Sequence, residues 1–290
     1  MKDFEYAAAS TLDEAVSLMA AGGDKAKILA GGTDIIVQLR ENLRTADLVV
    51  DIKKIPDLNR IEFSPSGGLR LGAAVPACQL YEHADIQANY AGLVDAARII
   101  GGWQIQSRAS LGGNLCNSSP AADSIPAMIA YNAVCHIAGP QGTRTVAVAD
   151  FCTSPGRNVL QQGELLVALE FPPQPAHSGG HYRRFIPRNE MDIAVVGVGA
   201  WVQLDASGET IVSARIGLAA VAPRPLFAAE ASAWLAGKPA TEATFMQAGE
   251  MAKQIATPID DMRGTAEYRK HLVGVLTKRV LQEATTRAQS

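Results

Sequence analysis

The chain has 290 residues, enough for two domains of ordinary size, and its 26 Lys and Arg against 29 Asp and Glu leave a formal charge of −3. So even a balance excludes a nucleic-acid footprint and a polybasic membrane anchor, and points to a neutral or modestly charged partner. The longest apolar run, Ile193 to Leu204, is interrupted by Gly197, Gly199 and Gln203 and falls short of the ~20 residues that a membrane-spanning helix needs.

At the start of the chain Asp3 and Glu5 stand where a secretory signal would begin its apolar region, so a cytoplasmic protein is expected. "STLDEAVSLMAAGG" predicts a first helix: Thr11 and Glu14 fit a capping box, Leu12, Ala15, Val16 and Met19 recur at helical spacing, and Gly22 and Gly23 end it. "AKILA" predicts a short strand running into the glycine pair of "LAGGTD", and "DLVVDI" a second buried strand at 47–52. "RIEFSPSGGLRLGA" predicts a hairpin that turns at Ser64 to Gly68. "QLYEHADI" and "LVDAARIIGG" are helical in pattern, and "ASLGGNLCNSSPAAD", Ala109 to Asp123, is a long loop of small residues leading to a helix near Ala122 to Ala130.

A hairpin turning at Gly139 to Gly142 follows, then the strand "ELLVALEF", stopped by Pro172, Pro173 and Pro175. This proline cluster and the "AHSGG" after it mark a domain boundary. Beyond it, "GHYRRFIP", "DIAVVGVGAWVQLD" and "TIVSARIGLAAVA" predict three strands of one sheet, and helical patterns around 226–236, 241–254 and 265–287 cover it in an α+β layer. Cys78, Cys116, Cys135 and Cys152 are widely spaced with no CxxC pair, which predicts free thiols and neither a disulfide framework nor a zinc or iron–sulfur spacing.

The two glycine-rich segments carry the chemistry. A phosphate needs several backbone N–H groups aimed at one point, and glycine permits the dihedrals and the close approach this requires. "AGGTD" alone reads first as a plain turn, while a solvated loop with Asx turns is the lesser reading of the second segment. Together they offer backbone donors, amides and hydroxyls to one ligand. Neither G-x-G-x-x-G nor G-x-x-x-x-G-K-[ST] occurs, so a Rossmann dinucleotide site and a P-loop both lose ground.

The ordered set "LAGGTDIIVQLR", "VVDI", "LRLGAAV", "SLGGNLCNSSPAADSIPA", "GELLVALEFP" and "RRFIPRNEMDIAVVGVGA" resembles the flavoprotein subunit of the molybdenum hydroxylases, the xanthine dehydrogenase and carbon monoxide dehydrogenase family. The resemblance runs the whole length, and the G-G-N-x-x-x-x-S-P-x-x-D pattern is its most specific item. It implies an α+β fold: a two-part FAD-binding domain of the PCMH/vanillyl-alcohol-oxidase type over 1–175, with subdomains at about 1–55 and 56–175, then a C-terminal domain over 176–290 with a three-stranded antiparallel sheet and a helical layer. It implies FAD, with the pyrophosphate on Leu29, Ala30, Gly31, Gly32, Thr33 and Asp34. Gly112, Gly113, Asn114, Asn117, Ser119 and Asp123 would hold the other side of the dinucleotide and its ribose. Leu165 and Leu166 would pack near the adenine or the ring, and Arg184 would approach the flavin's polar edge. Met191 stands before Asp192 where some relatives carry paired aspartates, which would leave Arg184 less opposed; Asp192 itself reads as structural.

Other features point away from further chemistry. His177 and His181 in "HSGGH" would suit a metal only on a helix, which Gly179 and Gly180 disfavour. Trp103, Trp201 and Trp234 read as core, and Cys116 as a small packed side chain. An inserted four-cysteine iron–sulfur site, carried by some relatives, is lacking. No catalytic nucleophile–base pair and no metal site is expected on this chain. The implied partners are a small subunit with two 2Fe–2S clusters and a large molybdopterin-binding subunit, in a dimer of heterotrimers, with NAD+, O2 or another external electron acceptor. Xanthine or a related N-heterocycle is the expected substrate of the whole enzyme. The rivals are the medium subunit of a carbon monoxide or aldehyde dehydrogenase, a stand-alone FAD oxidase, and a non-catalytic nucleotide-binding scaffold.

Overall fold

The computed structural model describes residues 2–188 and 191–290. The Thr11 hydroxyl accepts the Glu14 N–H at 3.2 Å, and the Glu14 carboxylate accepts the Ser10 N–H at 2.8 Å. This reciprocal cap starts the helix Leu12–Gly22, and Gly23 at φ +56° stops it. The chain returns as the strand Ala26–Leu29, leaves through Ala30 to Asp34, forms the short helix Ile35–Arg40 and re-enters as the strand Leu48–Asp51. With Glu5–Ala8 these strands make a parallel three-stranded sheet, Leu48–Asp51 in its middle. Parallel neighbours need a crossover, and the two helices supply it.

The second sheet is antiparallel, in the order Ile61–Ser64, Gly68–Gly72, Leu165–Phe171, Val134–Gly139, Gly142–Ala147. Its central strand is the last in the sequence, buried along nearly all its length, which is why it reads as an unbroken apolar run. Between the two hairpins lie the helices Ala77–Glu82, Ala84–Asn89, Ala91–Ala97, Trp103–Gln106, Leu111–Asn117 and Ser124–Ala130. Segment 109–123 is therefore not the continuous loop expected. Ser110 caps the helix Leu111–Asn117 by accepting the Gly113 N–H at 3.0 Å, and Ser118 ends it in the left-handed region at φ 52°. Two adjacent glycines weaken a helix on propensity alone. Here close packing favours them: a Cβ on Gly112 would lie 2.4 Å from the Ala73 carbonyl oxygen.

In the C-terminal part the strands Ser178–Phe185, Val196–Leu204 and Ile211–Ala219 form the expected antiparallel sheet, and a two-residue strand, Leu226–Phe227, adds a fourth at its edge. The helices Glu242–Gln254 and Ala266–Gln289 enclose a core with this sheet through Phe245, Ala248, Val273, Leu276, Val280 and Leu281. The helix Ser124–Ala130, all of it buried, packs on Gly199 and Gly217, where a Cβ would come within 2.7 Å and 2.4 Å of the Pro126 carbonyl oxygen. Asp95 joins the two halves again, 2.6 Å from His181 Nδ1 and 2.7 Å from Arg287 Nη1. Among the described residues no helix is long and apolar enough to cross a membrane.

Candidate functional site

A cavity of about 510 Å³ lies between the first sheet and the helix Leu111–Asn117, within the ~300–1,000 Å³ usual for small-molecule sites. One wall is Ala30, Gly31, Gly32, Thr33 and Asp34. Gly32 sits at φ +84°, which favours glycine, and a Cβ on Gly31 would stand 1.8 Å from the Arg108 carbonyl oxygen. The glycines let this loop lie flat against the backbone that precedes the other wall. The N–H groups of Gly31, Gly32, Thr33 and Asp34 find no acceptor among the described residues. Such a run of free donors at a glycine turn is a cradle for an anion.

The opposite wall is Gly112, Gly113, Asn114, Asn117, Ser119 and Asp123. Much of its polar capacity is engaged within the protein. Asn114 Oδ1 accepts the Ser124 hydroxyl at 2.6 Å, Asn117 Oδ1 accepts Gln38 Nε2 at 3.1 Å, and Ser119 Oγ accepts the Ala121 N–H at 3.3 Å. The Nδ2 groups of Asn114 and Asn117 have no acceptor among the described residues, so each leaves an amide donor for a ligand. Asp123 is held from the second half of the chain: Tyr182 donates its hydroxyl to Oδ1 at 2.8 Å, and Arg184 Nη1 lies 2.6 Å from Oδ2. Burial pushes the Asp123 carboxyl up to about 6, against the opposing pull of Arg184 and Tyr182. Burial, and then the Asp123 charge, hold the Tyr182 phenol well above its ordinary range.

Leu165 and Leu166 line the cavity from the central strand, with Ile28, Ile52, Ile100 and Ile105 adding apolar surface suited to a ring. Cys116 also lines it, and burial pushes its thiol up to about 12, so it stays protonated and unreactive at neutral pH.

Two expected residues do not line the cavity. Leu29 turns under the first loop, packing with Leu39, Ala46 and Val49, because it follows the strand's alternation into the small core there. Arg184 stands behind Asp123 and pairs with that carboxylate, so it is not unopposed. Asp192 and Ile193 do line the cavity, while Asn189 and Glu190 of "RRFIPRNEMDIA" lie outside the described residues. The sequence reading missed Lys27, Gln38, Arg44, Ser110 and Glu164. Lys27 carried a signal, being on the strand that feeds the glycine turn. Glu164 is paired with Arg144 at 2.7 Å, and Arg44 is brought in only by the fold. His181 and Trp103 found other places: the histidine binds Asp95, and Trp103 is 86% exposed, not core.

Residues 2–174 match the family model described as the FAD binding domain in molybdopterin dehydrogenase, and residues 181–284 the one described as the CO dehydrogenase flavoprotein C-terminal domain. The chain is similar to the xanthine dehydrogenase FAD-binding subunit of Escherichia coli O157:H7, with 36% identity over 290 residues, 99% of this chain and 98% of that one. It is similar in fold to the solved carbon monoxide dehydrogenase from Hydrogenophaga pseudoflava that lacks the Mo-pyranopterin moiety of its molybdenum cofactor, with a TM-score of 0.94, 31% identity, and 99% and 98% of the two chains covered. It is likewise similar to quinoline 2-oxidoreductase from Pseudomonas putida 86, with a TM-score of 0.90, 28% identity and 100% of each chain covered.

Proposed function

The chain belongs to the FAD-binding subunits of the molybdenum hydroxylase family, and from that premise we propose that it is the electron port of a multisubunit dehydrogenase. It receives electrons from an iron–sulfur subunit and delivers them to an external acceptor, while substrate is oxidised on a separate molybdopterin subunit. The observation that carries this reading is the cavity itself: an anion cradle on one wall, amide donors and a carboxylate on the other, and apolar surface between them. Bound FAD supplies one- and two-electron redox chemistry there.

The chain's own residues bind and orient. The backbone of Gly31 to Asp34 takes the diphosphate, the Asn114 and Asn117 amides and Asp123 take hydroxyl groups of the dinucleotide, and Leu165 and Leu166 support a ring. Tyr182 and Arg184 position Asp123 and keep its carboxylate aimed at the cavity. In this reading 1–175 is the FAD-binding domain and 176–290 a flavoprotein C-terminal domain that completes the site through Asp123. We place the enzyme in the cytoplasm as a dimer of heterotrimers. Xanthine or a related N-heterocycle is the proposed substrate, supported by 36% identity to the xanthine dehydrogenase subunit against 31% to the carbon monoxide enzyme.

The test is expression of the chain alone and together with the subunits encoded beside it. Alone, it carries flavin and shows negligible turnover. In the complex, iron and molybdenum copurify and an N-heterocycle is oxidised. Robust turnover of a purine or aldehyde by the isolated chain would replace this reading with a stand-alone oxidase.

A further inference from the structure

Lys27 and Arg44 both line the cavity, one from the strand Ala26–Leu29 and the other from the segment after the helix Ile35–Arg40. Neither forms an ion pair with a carboxylate among the described residues. The Lys27 ammonium donates to the Asp24 carbonyl. The Arg44 guanidinium extends toward the hairpin Cys152–Asn158, where a Cβ on Gly156 would lie 3.7 Å from its Nη2. Burial and the nearby Arg44 charge lower the proton affinity of Lys27 while the Asp24 charge raises it, so two cations face one cavity and neither is ion-paired with the nearer carboxylates, Asp24 and Asp34. Asp34 itself is desolvated enough to be pushed upward and stands outside ion-pair range.

The free N–H groups of Gly31 to Asp34 open on the same cavity. Backbone donors carry only partial charges, and a diphosphate brings two full negative charges. Two cations lining the same cavity as a backbone cradle supply what the cradle lacks: a point charge from lysine and a forked donor from arginine. We infer that Lys27 and Arg44 form a cationic clasp that closes on the diphosphate of the dinucleotide held by the first loop. The inference rests on the FAD reading of the cavity and adds the side chains that select a diphosphate.

The test is titration of FAD into the full chain stripped of flavin, followed by flavin fluorescence at increasing sodium chloride. Wild-type affinity falls as salt rises. Lys27→Met combined with Arg44→Met weakens FAD binding on the order of 10- to 100-fold at low salt. That variant responds little to salt, so the two curves converge. Lys27→Arg with Arg44→Lys stays within about threefold of wild type. Riboflavin, which has no phosphate, binds wild type and the Met variant alike. A loss equal at every salt concentration, or shared by riboflavin, would mean a structural role and overturn the clasp. Unchanged FAD affinity with lost NADH binding to the FAD-loaded variant would assign the pair to a second dinucleotide and overturn it too. A wild-type chain that takes up no FAD at any salt overturns the underlying reading; failure of the clasp alone shows as a wild type that binds FAD and a Met variant that matches it.

Discussion

Gly31 to Asp34 and Leu111 to Asp123 are composed of the same small and polar residues, yet the first leaves its backbone N–H groups without acceptors while the second ties most of its polar atoms into the protein. The first wall is partly exposed and, beyond its own sheet, lies against the Arg108 backbone and accepts Arg108 Nε at the Gly31 carbonyl at 3.4 Å. The second is a capped helix and a turn wedged between the second sheet and the C-terminal sheet, with Asp123 held by residues from beyond the proline cluster. Small polar residues can serve a ligand or a fold, and burial decides between them. Substitutions in the first wall should alter ligand binding more than stability, and those in the second should alter both.

The largest effect is expected from Arg184→Met. It removes the cation from a carboxylate that is 9% exposed, and breaking a buried pair in this way costs about 3–5 kcal/mol. Urea unfolding of the flavin-free chain at pH 7.5 measures it. The loss should shrink as pH falls, because a protonated Asp123 no longer needs the cation. A loss below about 1 kcal/mol at pH 7.5 would show that the second wall does not depend on the C-terminal sheet.

Asp123 gives the next effect through its own titration. Its carboxyl is raised from 3.8 to about 6 in the folded chain, so the folded state holds the proton more tightly than the unfolded state. The stability this contributes is complete below pH ~4 and is lost as pH rises through ~6, amounting to about 2–3 kcal/mol over that window. Asp123→Asn, which does not titrate, should lack this fall, although Arg184 is then left unpaired and the variant is less stable throughout. Parallel stability-against-pH curves for the two proteins would mean that folding leaves the Asp123 carboxyl at its unfolded value.

Much of the fold was legible because it is encoded locally. The Thr11 and Glu14 cap, the punctuating glycines and prolines, and the alternating or unbroken apolar strands each act within a few residues. The first wall was legible for the same reason, since Gly32 needs its positive φ whatever lies around it. The second wall was harder. Its glycines argue against a helix, and the reasons it forms one are Ser110 and Ala73, the latter distant in sequence. The pairing of Asp123 with Arg184 spans 61 residues, and the approach of Arg44 to Gly156 is likewise a product of folding. The resemblance gave Arg184 a place near the flavin but not the carboxylate it pairs with.

The first wall should respond to Gly32→Val with flavin loss and a modest change in stability. At φ +84° a β-branched residue is strained by about 1–3 kcal/mol, and its Cβ would meet Ile36 Cδ1 at 2.7 Å. The clash is with side chains beneath the loop and not with the cavity, so the cradle is lost because the loop's backbone must turn. The flavin-to-protein ratio after gel filtration checks this. An unchanged ratio in a folded variant would remove the first loop from the site.

The smallest expected effect tests the seam between the walls. Gln38 Nε2 donates to Asn117 Oδ1 at 3.1 Å, joining the helix after the first loop to the end of the helix in the second wall. Part-buried neutral hydrogen bonds of this kind contribute about 1 kcal/mol. Gln38→Leu should therefore destabilise the flavin-free chain by no more than about 1 kcal/mol, because both helices keep their own packing. Its effect on FAD should be of the same size, up to about fivefold in Kd, since a freed Asn117 side chain must be reoriented before its amide can meet the ligand. If the walls are separate units brought together by the ligand, FAD should narrow the stability gap between variant and wild type when added in excess. If the bond instead fixes the cavity in advance, the gap should widen with FAD, because the wild type then gains more from binding. Thermal unfolding with and without saturating FAD separates the two, and the free amide of Asn117, poised in the cavity with its oxygen already engaged, favours the widening.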